Sequence, residues 1–420
     1  MKYHVWEFNT LIQVLLLELL LSFSVASGAC AAETLAGVKI TRYNRVTRTG
    51  RVDPAAVTVM RFPGSYGESV AYQDWIYFAP LHGSGFDIPN SILVRRHAVT
   101  GEIQTLDLST IDGRITTCIG VDADGLGNVY TVTRTGGIAI KLHVDDEKFE
   151  GSSATVLDLP IQGSYTSVRF FNGFLYIAPM GHGLFLQVSG EEFSKASVKA
   201  IDVSTIDAGA TGYNGMWVDR KGFLWAAPNW NGKVRTGKVV RIDSNHFTLA
   251  SASIIDLAVI NPEAKGYHGV CGTEEKVVFV NHANETSGSH RNVAVIDINR
   301  PSLDGVKIVD IGKHNDKIGG GINCESVGNR IWLFPYMRNT GDGSDGRMEG
   351  YGVITVLEPR TLEFVHLDLS DVLPGIKIIP YDGTYARGHM FLSPYKVYDS
   401  KISKDDILDD RSISIEVSAP

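Results

Sequence analysis

The 420-residue sequence predicts an all-β fold, a β-propeller of four-stranded blades, most simply seven of them. Three observations carry this. A phrase made of a tyrosine, a short polar stretch, a turn and an apolar-aromatic run recurs along the chain. Each copy continues into a second alternating strand pair that closes on Asp-Leu or a close variant. After the leader, no stretch holds a convincing helical period.

The copies are "YGESVAYQDWIYFAP" from Tyr66, "YTSVRFFNGFLYIAP" from Tyr165, "YNGMWVDRKGFLWAAP" from Tyr213 and "YHGVCGTEEKVVFVN" from Tyr267. "GINCESVGNRIWLFP" from Gly321 and "YDGTYARGHMFLSP" from Tyr381 follow, and "ITTCIGVDADGLGNVYTV" from Ile115 is a degenerate copy without its tyrosine. β-Branched and aromatic residues punctuated by Gly, Asn and Asp are strand-and-hairpin chemistry. Four strands per roughly fifty residues is the period of a propeller blade. The termini are complementary: "VKITRYN…AAVTVMRFPGS" reads as outer strands lacking an inner half, and the last copy reaches "SISIEV" and stops. Pairing them closes a single domain, residues 36–420, and removes two sheet edges.

Residues 1–31 read as a secretory signal. "LIQVLLLELLLSFSVA" is apolar apart from Gln13 and Glu18, and Ala29-Cys30-Ala31 fits an A-x-A cleavage pattern. The expected location is therefore secreted or periplasmic, with no membrane span after cleavage and a monomeric state. The formal net charge of −8 disfavours nucleic acid or an anionic surface as partner, and no basic run offsets it. Asn284-Glu285-Thr286 is a glycosylation sequon.

Cleavage leaves Cys118, Cys271 and Cys324. Cys271 and Cys324 occupy repeat offsets of opposite parity in consecutive blades, which turns them towards each other. A disulfide between them, two buried unpaired thiols, and a metal shared with His282 or His268 are the three readings. Along a strand, residues three apart face opposite ways, so His268 and Cys271 do not chelate one metal together.

If the chain enters each blade at its inner strand, one rim collects strand starts and second-strand ends. Tyr66, Tyr165, Tyr213, Trp230, Asn231, Tyr336 and Tyr381 are its candidate ligand-binding residues, with the tyrosines alternatively packing between blades. His268, Tyr267, Arg338 and His282 are the candidate catalytic groups, as acid-base residues beside a neutralising cation. Glu68, Asn214, Asn323 and Asp382 are oxygen ligands of the kind calcium takes.

The repeat resembles the secreted β-propeller superfamily in architecture. Polysaccharide lyases built on propellers imply binding of an extracellular carbohydrate on the tyrosine-lined rim and cleavage by β-elimination. The oxygen ligands resemble those of calcium-dependent, lactonase-type propellers, which implies a hydrolase. A third reading is a non-catalytic propeller that binds a surface protein. No nucleophile elbow, zincin motif or phosphate loop decides among them.

Overall fold

The computed structural model describes residues 33–62, 64–82, 89–144, 149, 153–230, 233–282, 291–315, 317–336, 338–339, 348–349, 352–372, 380–394 and 411–417. The leader with its expected cleavage point, Asn231 and the Asn284 sequon lie outside these residues.

Seven four-stranded antiparallel blades form a ring. Blades 1 to 5 each take one continuous segment: 65–107, 118–158, 164–202, 213–256 and 267–310. Blade 6 spans 321–368. Blade 7 combines Pro380–Ala386, His389–Pro394 and Arg411–Glu416 with Val57–Arg61 from the other end of the chain. Ile413 pairs with Val59 in that antiparallel seam. The first strand of every blade is innermost, and neighbouring inner strands pack side by side around the axis.

The N-terminal segment read from sequence as one outer half-blade is divided between two sheets. Val57–Arg61 closes blade 7, whereas Val38–Asn44 joins Thr49–Val52 and Glu33–Leu35 on the outer edge of blade 6. Thr49–Val52 runs parallel to Glu363–Asp368, with Gly50 opposite Leu367. The cause is burial: Val38, Ile40 and Val52 join a cluster with Trp332, Ile354 and Leu367.

The Asp-Leu endings have a local explanation. Asp107, Asp202, Asp256 and Asp368 each cap a short 3-10 turn, their carboxylates accepting the N–H two residues on. The next residue in each case, Leu108, Val203, Leu257 or Leu369, is buried and pins the turn against its blade.

Glycines let the inner strands approach. A Cβ on Gly120 would lie 2.7 Å from the Val168 nitrogen, and one on Gly269 would lie 2.5 Å from Asn323 Cα. Cys271 and Cys324 join blades 5 and 6 as a disulfide, with Cα atoms 6.0 Å apart. Cys118 is a buried free thiol whose pKa burial pushes up to about 12.

Candidate functional site

Inner-strand starts and second-strand ends share a rim. Tyr267 pairs with Asn281, Tyr213 with Pro228, Tyr165 with Pro179 and Tyr66 with Pro80. These four tyrosines are nonetheless fully buried. Their rings sit edge-on or tilted against neighbours: Tyr66 against Phe62, Tyr165 against His182, Tyr213 against Phe185 and Tyr267 against Phe279. The tyrosines that repeat therefore pack between blades instead of facing a ligand, because an apolar ring at that position fills the wedge between neighbouring sheets. Tyr267 is placed in the core, away from any exposed chemistry.

His268, the next residue, faces the axis. Its Nε2 lies 3.2 Å from the Tyr381 hydroxyl of blade 7. The His282 ring stacks on it at 5.2 Å, and Tyr336 covers His282 at 4.0 Å. The stack thus runs from buried His268 through half-buried His282 to half-buried Tyr336. Burial, with the positive charges of Arg235 and Arg134, holds the His268 pKa down to about 3, the Ile322 backbone opposing. Tyr381 is pushed well above its ordinary value, chiefly by burial.

Arg235 Nη1 donates to Asn229 Oδ1 at 2.9 Å, and its guanidinium lies 6.0 Å from the Trp230 ring centre. Trp230 is 46% exposed on the rim. Arg338 belongs to a short ribbon in which it pairs with Glu349; its side chain lies outside the described residues.

Further along the inner strands the axis is ionic. Arg169 Nη1 donates to Glu68 Oε2 at 2.9 Å. Asp382 Oδ2 accepts from Ser69 N at 2.7 Å and Ser69 Oγ at 3.2 Å. Asp122 Oδ2 accepts from Phe170 N at 2.7 Å, and Glu325 Oε1 accepts from Tyr385 N at 3.3 Å. Each of these bonds joins one blade to another. Burial first, and mutual repulsion after it, raises all four carboxyls. Glu325 reaches about 7, and Asp382 goes well above its ordinary range.

This accounts for the four candidate calcium ligands differently. Glu68 faces a guanidinium and Asp382 a backbone amide, so a protein cation and N–H groups take the oxygen atoms a metal would need. Asn323 Oδ1 accepts from Cys324 N at 3.0 Å, and Asn214 offers its carbonyl to Thr166 Oγ1 at 3.0 Å. Among the described residues no three His, Cys, Asp or Glu side chains converge as a metal site.

Of the candidates, then, the structure brings together His268, His282, Tyr336 and Tyr381, and presents Trp230 on their rim. Sequence reasoning missed Arg134, Arg235, Arg169 and Asp122. Arg134 directly follows the second strand of the degenerate blade, in the position of His282 in blade 5; aligning that copy by its ends instead of its lost tyrosine finds it. Arg169 and Asp122 were visible as charges inside inner-strand runs.

No family model matches the chain, and no curated protein sequence matches it. Among solved structures, similar folds are propellers. A streptogramin B lyase aligns at TM-score 0.58 and 12% identity, covering 86% of this chain and 98% of that one. A catalytically inactive His-to-Ala variant of virginiamycin B lyase from Staphylococcus aureus, with quinupristin, aligns at 0.58 and 10%, covering 86% and 99%. The WD40 repeats of RRP9 align equally well, at 0.58 and 8%, covering 86% and 98%. At these identities the likeness is one of fold.

Proposed function

We propose that this is a secreted propeller lyase that binds an acidic carbohydrate at the histidine cluster beside its axis and cleaves it by β-elimination. The observation that carries the reading is the His268–Tyr381 contact beneath His282 and Tyr336, within the field of Arg134 and Arg235. Two cations near a neutral imidazole suit a ligand carboxylate, which arginine binds in a planar fork. Trp230 offers a sugar face an aromatic surface.

In the proposed reaction His282, the more exposed imidazole, takes the proton α to the ligand carboxylate. The released electron pair forms the carbon-carbon double bond as the β-oxygen leaves. The leaving oxygen receives a proton from Tyr381 or from water, and no oxidant is consumed. His268 holds the Tyr381 hydroxyl in place. A bound carboxylate would offset the arginine charges that hold His268 down.

Support from relatives is limited to fold: two similar propellers are lyases, and one of those was inactivated by replacing a histidine. The disulfide suits an oxidising compartment, and among the described residues no helix is long and apolar enough to cross a membrane. The similarity to WD40 repeats supports the second reading, a non-catalytic interaction propeller.

The test is ultraviolet absorbance during incubation with a panel of polyuronates. An unsaturated product that falls ~10²–10⁴-fold in His282→Ala supports the lyase, that being the range general acid-base catalysis supplies. A flat trace over the panel removes it and leaves the interaction propeller.

A further inference from the structure

The third strand of blade 1 breaks the repeat at one position. Its fifth residue is Arg96, which pairs with Ile76 of the second strand. The same place in blades 2 to 7 holds Leu142, Val188, Ile242, Ile296, Leu357 and Ile415. All six are buried aliphatic side chains packed towards the preceding blade. Arg96 is as deeply placed, only 3% exposed, and it faces blade 7 across the seam where strands from the two ends of the chain close the ring.

The opposite wall makes room for it. The fourth residue of the third strand is a long side chain in blades 1 to 4: Arg95, Lys141, Gln187 and Arg241. In blade 7 it is Ser414, opposite Phe391. Ser414 is too short to cover that ring, and Arg96 covers it from blade 1. The Arg96 guanidinium carbon lies 4.9 Å from the Phe391 ring centre, and Nη2 donates to Ser414 Oγ at 3.2 Å. An aromatic face attracts a cation but supplies no counter-charge.

Other buried guanidiniums are matched. Arg169 has Glu68, and Arg95, on the opposite face of the same strand, gives Nε and Nη2 to Gln104 Oε1 at 2.9 and 2.7 Å. Arg96 Nε and Nη1 are shut off from solvent and have no hydrogen-bond partner among the described residues. Ile76 and Ile103 flank Arg96 in register, and with Val94 and Phe391 they make its surroundings apolar. Burial holds the Arg96 pKa down to about 10, so the group is still charged at neutral pH. A buried charge and its unused N–H groups are costly unless an anion meets them.

We propose that the seam between blades 1 and 7 is a binding site for a small monovalent anion of the chloride class, held by the Arg96 guanidinium and the Ser414 hydroxyl. Ser414 Oγ accepts from Arg96 and keeps its own hydrogen as a further donor. The close-packed wedge suits an ion of a single atom better than a carboxylate or sulfate. Bound there, the anion joins blade 1 to blade 7 and makes ring closure depend on the surrounding salt. This goes beyond the lyase reading, and its readout needs no substrate.

The full chain is unfolded thermally in sodium chloride and in sodium gluconate at equal ionic strength. Chloride is expected to raise the melting temperature over gluconate by ~1–3 °C, saturably, as a ligand of the folded state does. Arg96→Met keeps a long side chain over Phe391 without the charge, and is expected to unfold at one temperature in both salts. Ser414→Val is expected to lose half the shift or more, and Lys199→Ser, an exposed charge on blade 3, to keep all of it. Should Arg96→Met fail to fold, bromide-soaked crystals of the parent decide, with an anomalous peak expected within hydrogen-bond reach of Arg96. Equal melting of the parent in the two salts overturns the site. So do an undiminished shift in Arg96→Met, the absence of a bromide peak, and a carboxylate of the chain found against Arg96.

Discussion

Around Arg169, every carboxylate has a partner on the inner strand of another blade. Around His268, the imidazole faces the Tyr381 hydroxyl and stacks on the His282 ring. The two regions meet on the inner strand of blade 7, where Tyr381 belongs to the histidine region and the next residue, Asp382, to the ionic one. The ionic region ties blades 1, 2, 3, 6 and 7 together, so its charges act as fasteners. In the histidine region His282 and Tyr336 are half-buried and Trp230 is 46% exposed. A ring closed at one depth by ionic bonds can leave polar groups at another depth available for a ligand.

The two regions also respond oppositely to pH. Glu325 titrates higher folded, about 7, than an unfolded glutamate. Between the unfolded value and about 7 the folded state holds the extra proton, so this contribution is full at lower pH and is lost as pH rises through 7. His268 titrates lower folded, about 3, than an unfolded histidine. The unfolded state then binds the extra proton as pH falls below about 6.5, and stability declines from there down to about 3. Buried His366, held down to about 4 by burial, adds to the acid side.

The largest effect expected is at Arg169. Arg169→Met leaves Glu68 and Asp122 buried beside Asp382 and Glu325 without their cation, and costs ~3–5 kcal/mol in urea unfolding. The loss grows from slightly acid to slightly alkaline pH as those carboxyls ionise; a pH-independent loss under 1 kcal/mol in magnitude, on the order of a surface pair, breaks the comparison. Next comes Cys271→Ser/Cys324→Ser, which releases a loop of about fifty residues and costs ~2–4 kcal/mol. Reductant is expected to lower the melting temperature of the parent and to leave this double variant unchanged.

A melting-temperature profile against pH sharpens the contrast. Glu325→Gln is expected to flatten the decline between the ordinary glutamate range and about pH 7, and His268→Gln to soften the decline below 6.5 while His366 maintains part of it. Exchange of these two outcomes shows that the charges were assigned to the wrong regions. The smallest stability effect is at Tyr381→Phe, ~1 kcal/mol for one hydrogen bond. If the lyase reading holds, the same change lowers turnover far more than it lowers stability; an unchanged rate with full substrate binding removes Tyr381 from the chemistry.

By itself the sequence determined the propeller, its blade repeat, the shared rim and the approach of Cys271 to Cys324, because strand alternation and turn residues are local and recur. The parity argument that set His268 and Cys271 on opposite faces does not carry over, because a register shift between Tyr267 and Gly269 interrupts the alternation and puts Tyr267 and Val270, three residues apart, in the same core cluster. Tertiary structure decided which recurring residues were packing. In sequence Tyr66 and Tyr381 both read as the opening tyrosine of a repeat, but Tyr66 pairs with Pro80 whereas Pro380 pairs with Pro394, so Tyr381 falls one residue further along its strand and meets His268, 113 positions away. Glu68 looks like a cation ligand until Arg169 arrives from blade 3, and Arg42 and Arg51 become a pair only when their hairpin forms. Charge acts through distance, and in a closed ring the distances that matter join residues remote in sequence.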